Sequence, residues 1–296
     1  MRVLICGGTG FLGRHIVNAL VQQGHDPVVR SRHSDPALDF ADLTQADDWL
    51  AHLQSVEAVV NAVGALRDTP RQSLQTLHTD APIALFDACA QAGVQRVVQV
   101  SALGVADSAT RYASTKRAAD EHLLALNQAG RLNGVVVRPS IIFGAGGAST
   151  ELFMSLAKLP ALLLPQAMQS SHVQPVAVRD LAQVLAQLAT SEAPSGVINI
   201  GGPEALTLGS LIASLRGQMG RSSALALTMP RWAAELSARV GDRISALPWC
   251  TETLTLLQSH NVTDPQTLAK LLGREGVPPG RLYATLPESQ SRTRKS

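Results

Sequence analysis

An α/β chain built on a doubly wound parallel sheet is the fold class that the sequence predicts, and two observations predict it. The apolar run Val3-Leu4-Ile5-Cys6 leads directly into Gly7-Gly8-Thr9-Gly10-Phe11-Leu12-Gly13, and that stretch leads into a helical pattern with Ile16, Val17, Leu20 and Val21 on one stripe. Downstream, short β-branched runs alternate with helix-length segments, which implies parallel strands joined by right-handed crossovers with helices on both sheet faces. A smaller, mostly helical region is expected to follow.

The glycine stretch sits at a strand-to-helix turn. Gly7 or Gly8 can take the positive φ of a tight turn, Gly10 lets the backbone approach a pyrophosphate, and Gly13 lets the helix pack closely on the strand. The helix that follows offers free N–H groups and the positive end of its dipole to phosphates. This context of strand, glycine turn and amphipathic helix predicts dinucleotide binding on a Rossmann-type sheet.

Gly24 to Pro27 reads as a turn and Val28-Val29-Arg30 as the second strand. A chain that binds NAD usually carries an acid there, about 20 residues past the glycines, to accept from the ribose 2′-hydroxyl. This chain has Arg30-Ser31-Arg32-His33 instead. If the strand continued, Arg30 and Arg32 would share a face and suit a 2′-phosphate, so NADP(H) is expected over NAD(H). Leu38 to Leu43 reads as a short third strand ending in Asp42, and a helix from about Gln45 to Leu53 leads to a buried strand, Val56 to Asn61. Asn61-Ala62-Val63-Gly64 ends that strand beside the nucleotide crevice. A helix near Ala81 to Ala90 precedes a fifth strand, Arg96 to Ser101, which is followed by Ala102.

Tyr112-Ala113-Ser114-Thr115-Lys116 opens a helix that runs to about Leu126. Residues i and i+4 share a helical face, so phenol and ammonium can point together into the crevice. Bringing a tyrosine from its ordinary pKa to about 7 takes roughly 4 kcal/mol of preferential phenolate stabilisation. A lysine at about 4 Å, with an effective dielectric near 20, supplies a term of that size. The pair is therefore a predicted acid/base unit. Val135 to Pro139 is a further buried strand, and Ser140 to Gly144 carries the chain out of the sheet. Gly146-Gly147 and a stretch broken by Pro160 and Pro165 form loops of the kind that grip substrates. Val173 to Val178 is extended, Asp180 starts a helix to about Leu188, and Gly196 to Gly202 is the last sheet strand.

The rest reads as helical and irregular. Trp232, Leu236, Val240, Ile244 and Leu247 recur at helical spacing, with Arg231, Glu235, Arg239 and Arg243 available for the opposite face. That helix needs something apolar to lie against: the substrate pocket, a second copy, a partner chain or a membrane surface. The expected organisation is a dinucleotide-binding domain over 1–144 plus about 176–202, a substrate or partner region over about 145–175 plus 203–286, and a disordered tail at 287–296.

Composition narrows the classes. A chain of 296 residues, 45% hydrophobic and 16% charged, can bury a substantial core. No apolar run approaches the roughly 20 residues that a membrane span needs. The three cysteines, Cys6, Cys89 and Cys250, show no metal-ligand spacing and read as core thiols. With the first strand starting at once after Met1, a cytoplasmic location is expected. A formal charge of +2 without a dense basic face argues against nucleic acid as a partner.

Gly7-x-x-Gly10-x-x-Gly13, Asn61-Ala62-x-Gly64, Tyr112-x-x-x-Lys116 and Arg138-Pro139 together resemble the extended and atypical branches of the short-chain dehydrogenase/reductase family, over residues 1 to about 202. Gln174-Pro175-Val176 before Arg179-Asp180-Leu181-Ala182, and Asn261-Val262-x-Asp264, look like the bacterial relatives of the 39 kDa NADPH-binding subunit of mitochondrial complex I. The resemblance implies that Tyr112 gives or takes the proton in hydride transfer, that Lys116 binds the nicotinamide ribose and lowers the tyrosine pKa, and that Ser101 holds the substrate oxygen. The cofactor set it implies is Gly7 to Gly13, Arg30, Arg32, Asp42, Leu43, Asn61, Ala62, Val63, Gly64, Lys116, Pro139 and Ile142. The chain departs from the pattern in one place: active extended members commonly have two hydroxyl residues where Ser101 is followed by Ala102. Two functions therefore stay open. One is an NADP(H)-dependent oxidoreductase or epimerase/dehydratase-type enzyme with an unnamed small-molecule substrate, and the other is a catalytically weak NADPH-binding assembly or regulatory protein.

Overall fold

The structure, a computed structural model, describes residues 1–69, 72–192, 195–243, 249–257 and 261–287. In chain order the elements are β1 (Arg2–Cys6), α1 (Phe11–Gln22), β2 (Asp26–Arg30), α2 (Ala46–Leu50), β3 (Ala58–Asn61), α3 (Ala81–Ala92), β4 (Arg96–Val100), α4 (Arg111–Gln128), β5 (Gly134–Pro139), β6 (Ile142–Phe143), α5 (Ala148–Lys158), β7 (Ala161–Pro165), α6 (Gln166–Ser170), β8 (His172–Val173), β9 (Val176–Ala177), α7 (Val178–Thr190), β10 (Gly196–Ile200), β11 (Leu206–Thr207), α8 (Leu208–Gln218), β12 (Leu225–Met229), α9 (Arg231–Gly241), α10 (Thr251–Leu256) and α11 (Gln266–Leu272). The chain divides into two compact units, Met1–Pro139 with Leu181–Asn199, and Ser140–Asp180 with Ile200–Ser296.

The first unit is the doubly wound Rossmann-type sheet that the glycine turn and the alternating pattern predict. Six strands lie in the order β10-β5-β4-β3-β1-β2. The β1–β2, β1–β3, β3–β4 and β4–β5 pairs are parallel, with Cys6 opposite both Arg30 and Asn61. Alternate residues serve opposite faces. Leu4, Cys6, Val59, Val97 and Val136 join Trp49, Leu85, Phe86 and Leu123 in one core cluster, while Val3, Ile5, Val60 and Val98 are equally buried, so both faces are covered. Cys6, Cys89 and Cys250 are all buried free thiols, and burial pushes the Cys6 and Cys89 thiols up from their ordinary range.

The segment expected to be a third strand is instead a single 3₁₀ turn, Phe40–Asp42. The Asp39 carboxylate accepts from the Ala41 N–H at 3.1 Å, a local bond that competes with strand pairing and leaves Phe40 to stack edge-on against Trp49. The sheet therefore has one strand fewer before the Tyr-Lys helix, and Ser101 follows the fourth strand, not the fifth. The expected continuation of β2 also fails. Arg30 ends the strand, and Ser34 ties the next residues into a turn by accepting from the Ser31 N–H at 2.9 Å and donating to the Ser31 carbonyl at 2.9 Å.

The second unit has its own core of Phe143, Phe153, Met154, Leu162, Leu164, Leu211, Leu215 and Leu282. Its strands include a parallel pair that periodicity did not reveal: β7 lies beside β12, with Leu163 opposite Leu227. Helix α9 covers the start of the expected amphipathic helix. Ile244, Leu247 and the tail from 288 onward lie outside the described residues. No helix among the described residues is long and apolar enough to cross a membrane.

Candidate nucleotide site and Tyr-Lys cluster

The glycine turn is shaped by contacts only glycine allows. Gly7 has φ +77°, its N–H donates to the Arg30 carbonyl at 2.8 Å, and a Cβ there would press on the Ala62 backbone and Val63 at 3.2 Å. A Cβ on Gly13 would run into the Gly7 carbonyl oxygen and stand 2.7 Å from the Gly8 Cα. At Gly10 it would meet only the Gly7 carbonyl oxygen, at 3.1 Å. The turn is thus braced against the ends of β2 and β3, and the Thr9 and Ser31 hydroxyls bond across at 2.7 Å. Helix α1 begins at Phe11 with Gly10 as N-cap and no side-chain cap, so the N–H groups of Phe11, Leu12 and Gly13 open the helix without a competing side-chain acceptor. That arrangement fits a pyrophosphate.

These glycines yield an expected result. Gly13→Ala must displace the turn, so it should lower stability by about 1–3 kcal/mol and abolish cofactor binding. Gly10→Ala should keep the fold and lose mainly affinity, because its Cβ would meet only the Gly7 carbonyl oxygen while crowding the N-terminus of α1, where a pyrophosphate is expected. Thermal unfolding beside a cofactor titration separates the two.

The remaining predicted nucleotide residues fall into place unevenly. Asn61 is buried, with its side chain donating to Gln99 at 2.8 Å and accepting from the Val63 N–H at 3.2 Å, so it holds the Ala62-Val63-Gly64 loop in shape. Asp42 is exposed on the 3₁₀ turn, whereas Leu43 packs on the core and its carbonyl accepts from the Trp49 indole at 3.0 Å. Pro139 is buried and accepts from the Leu103 N–H at 2.9 Å. Ile142 belongs to the second unit, in β6 opposite Val176. The two arginines do not share a strand face. Arg30 folds back so that Nη1 donates to the Val29 carbonyl at 2.9 Å, with its Nε buried and without a hydrogen-bond partner, while Arg32 is exposed on the turn.

Helix α4 carries the second cluster. Thr110 caps it, accepting from the Ala113 N–H at 3.2 Å, which starts the helix so that Tyr112 and Lys116 stand one turn apart. Lys116 is 4% exposed, and its ammonium donates to the Val100 carbonyl at 3.1 Å and lies 5.8 Å from the centre of the Tyr112 ring. A side chain at Gly64 would touch the Lys116 Nζ and the His78 Nε2, both at 3.6 Å, so the loop after β3 borders this cluster directly. Burial brings the Lys116 ammonium down to about 8, against the opposing pull of Asp120. Here the structure corrects the expected tyrosine: burial, with Asp120 adding to it, pushes the Tyr112 phenol above its ordinary value, because desolvation outweighs a lysine that faces the ring.

Three participants were not apparent from spacing. His78 stands edge-on to Tyr112 with ring centres 5.4 Å apart. Its Nε2 accepts from the Ala65 N–H at 3.1 Å, so the proton sits on Nδ1, which faces Thr115 Oγ1 at 3.2 Å. Burial, then the Lys116 charge, lowers His78 to about 2, so it stays neutral. Asp120 is fully buried one turn beyond Lys116. Its Oδ2 accepts from Ser101 Oγ at 2.7 Å and from Arg138 at 3.0 and 3.2 Å, while Oδ1 has no partner. The Ser101 proton is therefore directed at Asp120. Asp120 could have been noticed as the i+4 neighbour of Lys116, whereas Arg138 stood in the Arg138-Pro139 motif without a role of its own. His78 gives no local signal.

Comparison with known proteins bears on the family and the fold. Ceramide reductase of Caulobacter vibrioides is 33% identical over 197 residues, covering 62% of this chain and 59% of that protein. The mitochondrial NADH-ubiquinone oxidoreductase 40 kDa subunit of Neurospora crassa is 27% identical over 198 residues, covering 62% and 51%. The chain thus spans between half and three-fifths of the length of these relatives. Among solved structures, the UDP-glucose 4-epimerase of Thermus thermophilus in complex with NAD superposes with a TM-score of 0.72 at 18% identity over 100% of both chains, which is a likeness of fold. The profile of one family matches residues 3–201, from the first residues of β1 past the end of β10, and on that match the chain belongs to the NAD dependent epimerase/dehydratase family.

Proposed function

We propose that this protein is an NADP(H)-dependent oxidoreductase that reduces a carbonyl substrate with Tyr112 as proton donor and Lys116 as the charge that steadies the phenolate. The observation that carries this reading is Lys116 itself. A buried ammonium held by one backbone carbonyl, brought down to about 8 by burial, is costly to the fold, and such groups concentrate at working sites. Reduced nicotinamide, when bound, supplies a hydride to the carbonyl carbon. The Tyr112 hydroxyl then gives its proton to the carbonyl oxygen, a role suited to a phenol pushed upward by burial and so protonated at neutral pH. His78 meets the ring edge-on, and Asp120, paired with Arg138, lies one helical turn from Lys116.

The preference for NADP(H) rests on Arg30 and Arg32 in place of the usual acid. The unpartnered Nε–H of Arg30 is a donor that a 2′-phosphate oxygen would satisfy. NADPH should bind more tightly than NADH, and Arg30→Ala/Arg32→Ala should bring the two affinities together; equal affinities in the wild type would remove the preference. Activity is read as NADPH oxidation with quinones, aldehydes, long-chain ketones and nucleotide sugars.

A second reading has a specific observation behind it. With the Ser101 hydroxyl directed at Asp120 and Ala102 beside it, the usual donor to the substrate oxyanion is missing, and losing one such donor costs about 10²–10³ in rate. Tight NADPH binding with no turnover on any substrate, in the wild type and in Ala102→Ser alike, would favour a cofactor-binding assembly or regulatory role.

A further inference from the structure

Helix α9 is built inside out. Its buried side consists of Ala234, Ala238 and Gly241, which pack with Leu254, Met229 and Trp249, while its large apolar residues point to solvent. Trp232 is 70% exposed, Leu236 56% and Val240 51%. An amphipathic helix that served only the core would turn these three inward. Their spacing of four keeps them in one stripe. Arg239 and Arg243, expected on the opposite face, are exposed alongside it: each lies three residues beyond a member of the stripe, and neither takes part in an ion pair among the described residues.

The strand before α9 continues the pattern in the same unit, with only Pro230 between them. Leu225 and Leu227 of β12 are 63% and 54% exposed, and Leu163, opposite Leu227, is 54% exposed, whereas Leu162 and Leu164 face the core. Cations border this pair as well. Arg221 donates to the Lys158 carbonyl at 3.2 Å, and Lys158, the last residue of α5, directly precedes the half-exposed Leu159, two residues before β7.

From this combination of tryptophan and branched aliphatics on the outside, interleaved with unpaired cations, we propose that the β12–α9 segment docks peripherally on an anionic lipid surface. The apolar side chains would enter the acyl boundary, Trp232 would sit at headgroup depth, and Lys158, Arg221, Arg239 and Arg243 would meet the lipid phosphates. Outside the Arg231–Glu235 ion pair, the exposed charges on and just beyond α9 are Arg239 and Arg243 against Asp242, and with Lys158 and Arg221 this cationic excess complements an anionic lipid surface.

The full-length protein is tested by cosedimentation with vesicles of phosphatidylglycerol mixed equally with phosphatidylcholine, and with pure phosphatidylcholine, at low and high salt. Binding to the mixed vesicles, weakened by salt and with a blue shift in emission that Trp232→Phe removes, is the expected result; Trp49 is buried and Trp249 half-buried, so neither should report it. Arg239→Glu/Arg243→Glu and Leu236→Glu/Val240→Glu should each weaken binding by at least about tenfold while circular dichroism and NADPH affinity stay unchanged. Absent binding, equal binding to both vesicle types, or binding untouched by both double variants would overturn the proposal. So would a wild-type dimer in sedimentation velocity that Leu236→Glu dissolves without any vesicle binding, which would assign the face to a second copy of the chain.

Discussion

Tyr112→Phe should reduce NADPH-dependent carbonyl reduction by about 10²–10⁴-fold while cofactor affinity is retained. Only the hydroxyl is removed. The ring that meets His78 edge-on and lies under Lys116 is kept, so the geometry of the cluster survives and the proposed proton donor does not. The pH dependence provides an internal check. The Tyr112 phenol is pushed upward and stays protonated throughout the neutral range, so it contributes no limb there. Lys116 loses its proton as pH rises through about 8, and with it the charge proposed to stabilise the developing phenolate. Wild-type turnover should therefore fall as pH rises above about 8, and the residual rate of Tyr112→Phe should not follow that limb. Fast turnover that ignores the substitution would remove Tyr112 from the chemistry.

The glycine turn was legible because its demand is covalent and local. A positive φ at Gly7 and the absence of room at Gly13 can be met by one residue type, and the strand before and helix after are adjacent in sequence. Tyr112 and Lys116 were legible for a similar reason, since one helical turn relates them. What failed depended on partners elsewhere. The Arg30 and Arg32 pairing assumed a strand that the Ser34 bonds end at Arg30, and the third strand was lost to a single Asp39 bond. His78 bonds to a threonine 37 positions away, a relation that no local pattern carries. The upward push on Tyr112 could not be read from spacing either, because it is set by how deeply the cluster is buried and by Asp120 below it. Helix α9 was found where periodicity placed it, but periodicity does not say which face turns inward, and small residues won the core side because β12 and α10 approach closely there.

Lys116→Met should separate stability from function. In the wild type the folded-state pKa is depressed from 10.5 to about 8, chiefly by desolvation. Below pH 8 the lysine is charged in both the folded and the unfolded chain, so folding carries the whole cost of burying that charge, roughly 3 kcal/mol at neutral pH. Between about pH 8 and 10.5 the unfolded chain still holds the proton that the folded chain has released, so wild-type stability rises with pH through that window, and above it the cost is gone. Methionine fills the same channel beside Gly64 and the Val100 carbonyl with an uncharged chain. The variant should thus be the more stable protein at pH 7, by up to about 3 kcal/mol, with the difference shrinking towards zero as pH approaches 10.5. Its cofactor affinity should fall, and its turnover should drop to the level of Tyr112→Phe, because the phenolate loses its counter-charge. Urea unfolding of both proteins across pH 7 to 10.5, together with NADPH titration, measures all of this. A variant no more stable than the wild type at pH 7 would mean that the Lys116 ammonium is not held against its solvation and would take away the observation on which the catalytic reading stands.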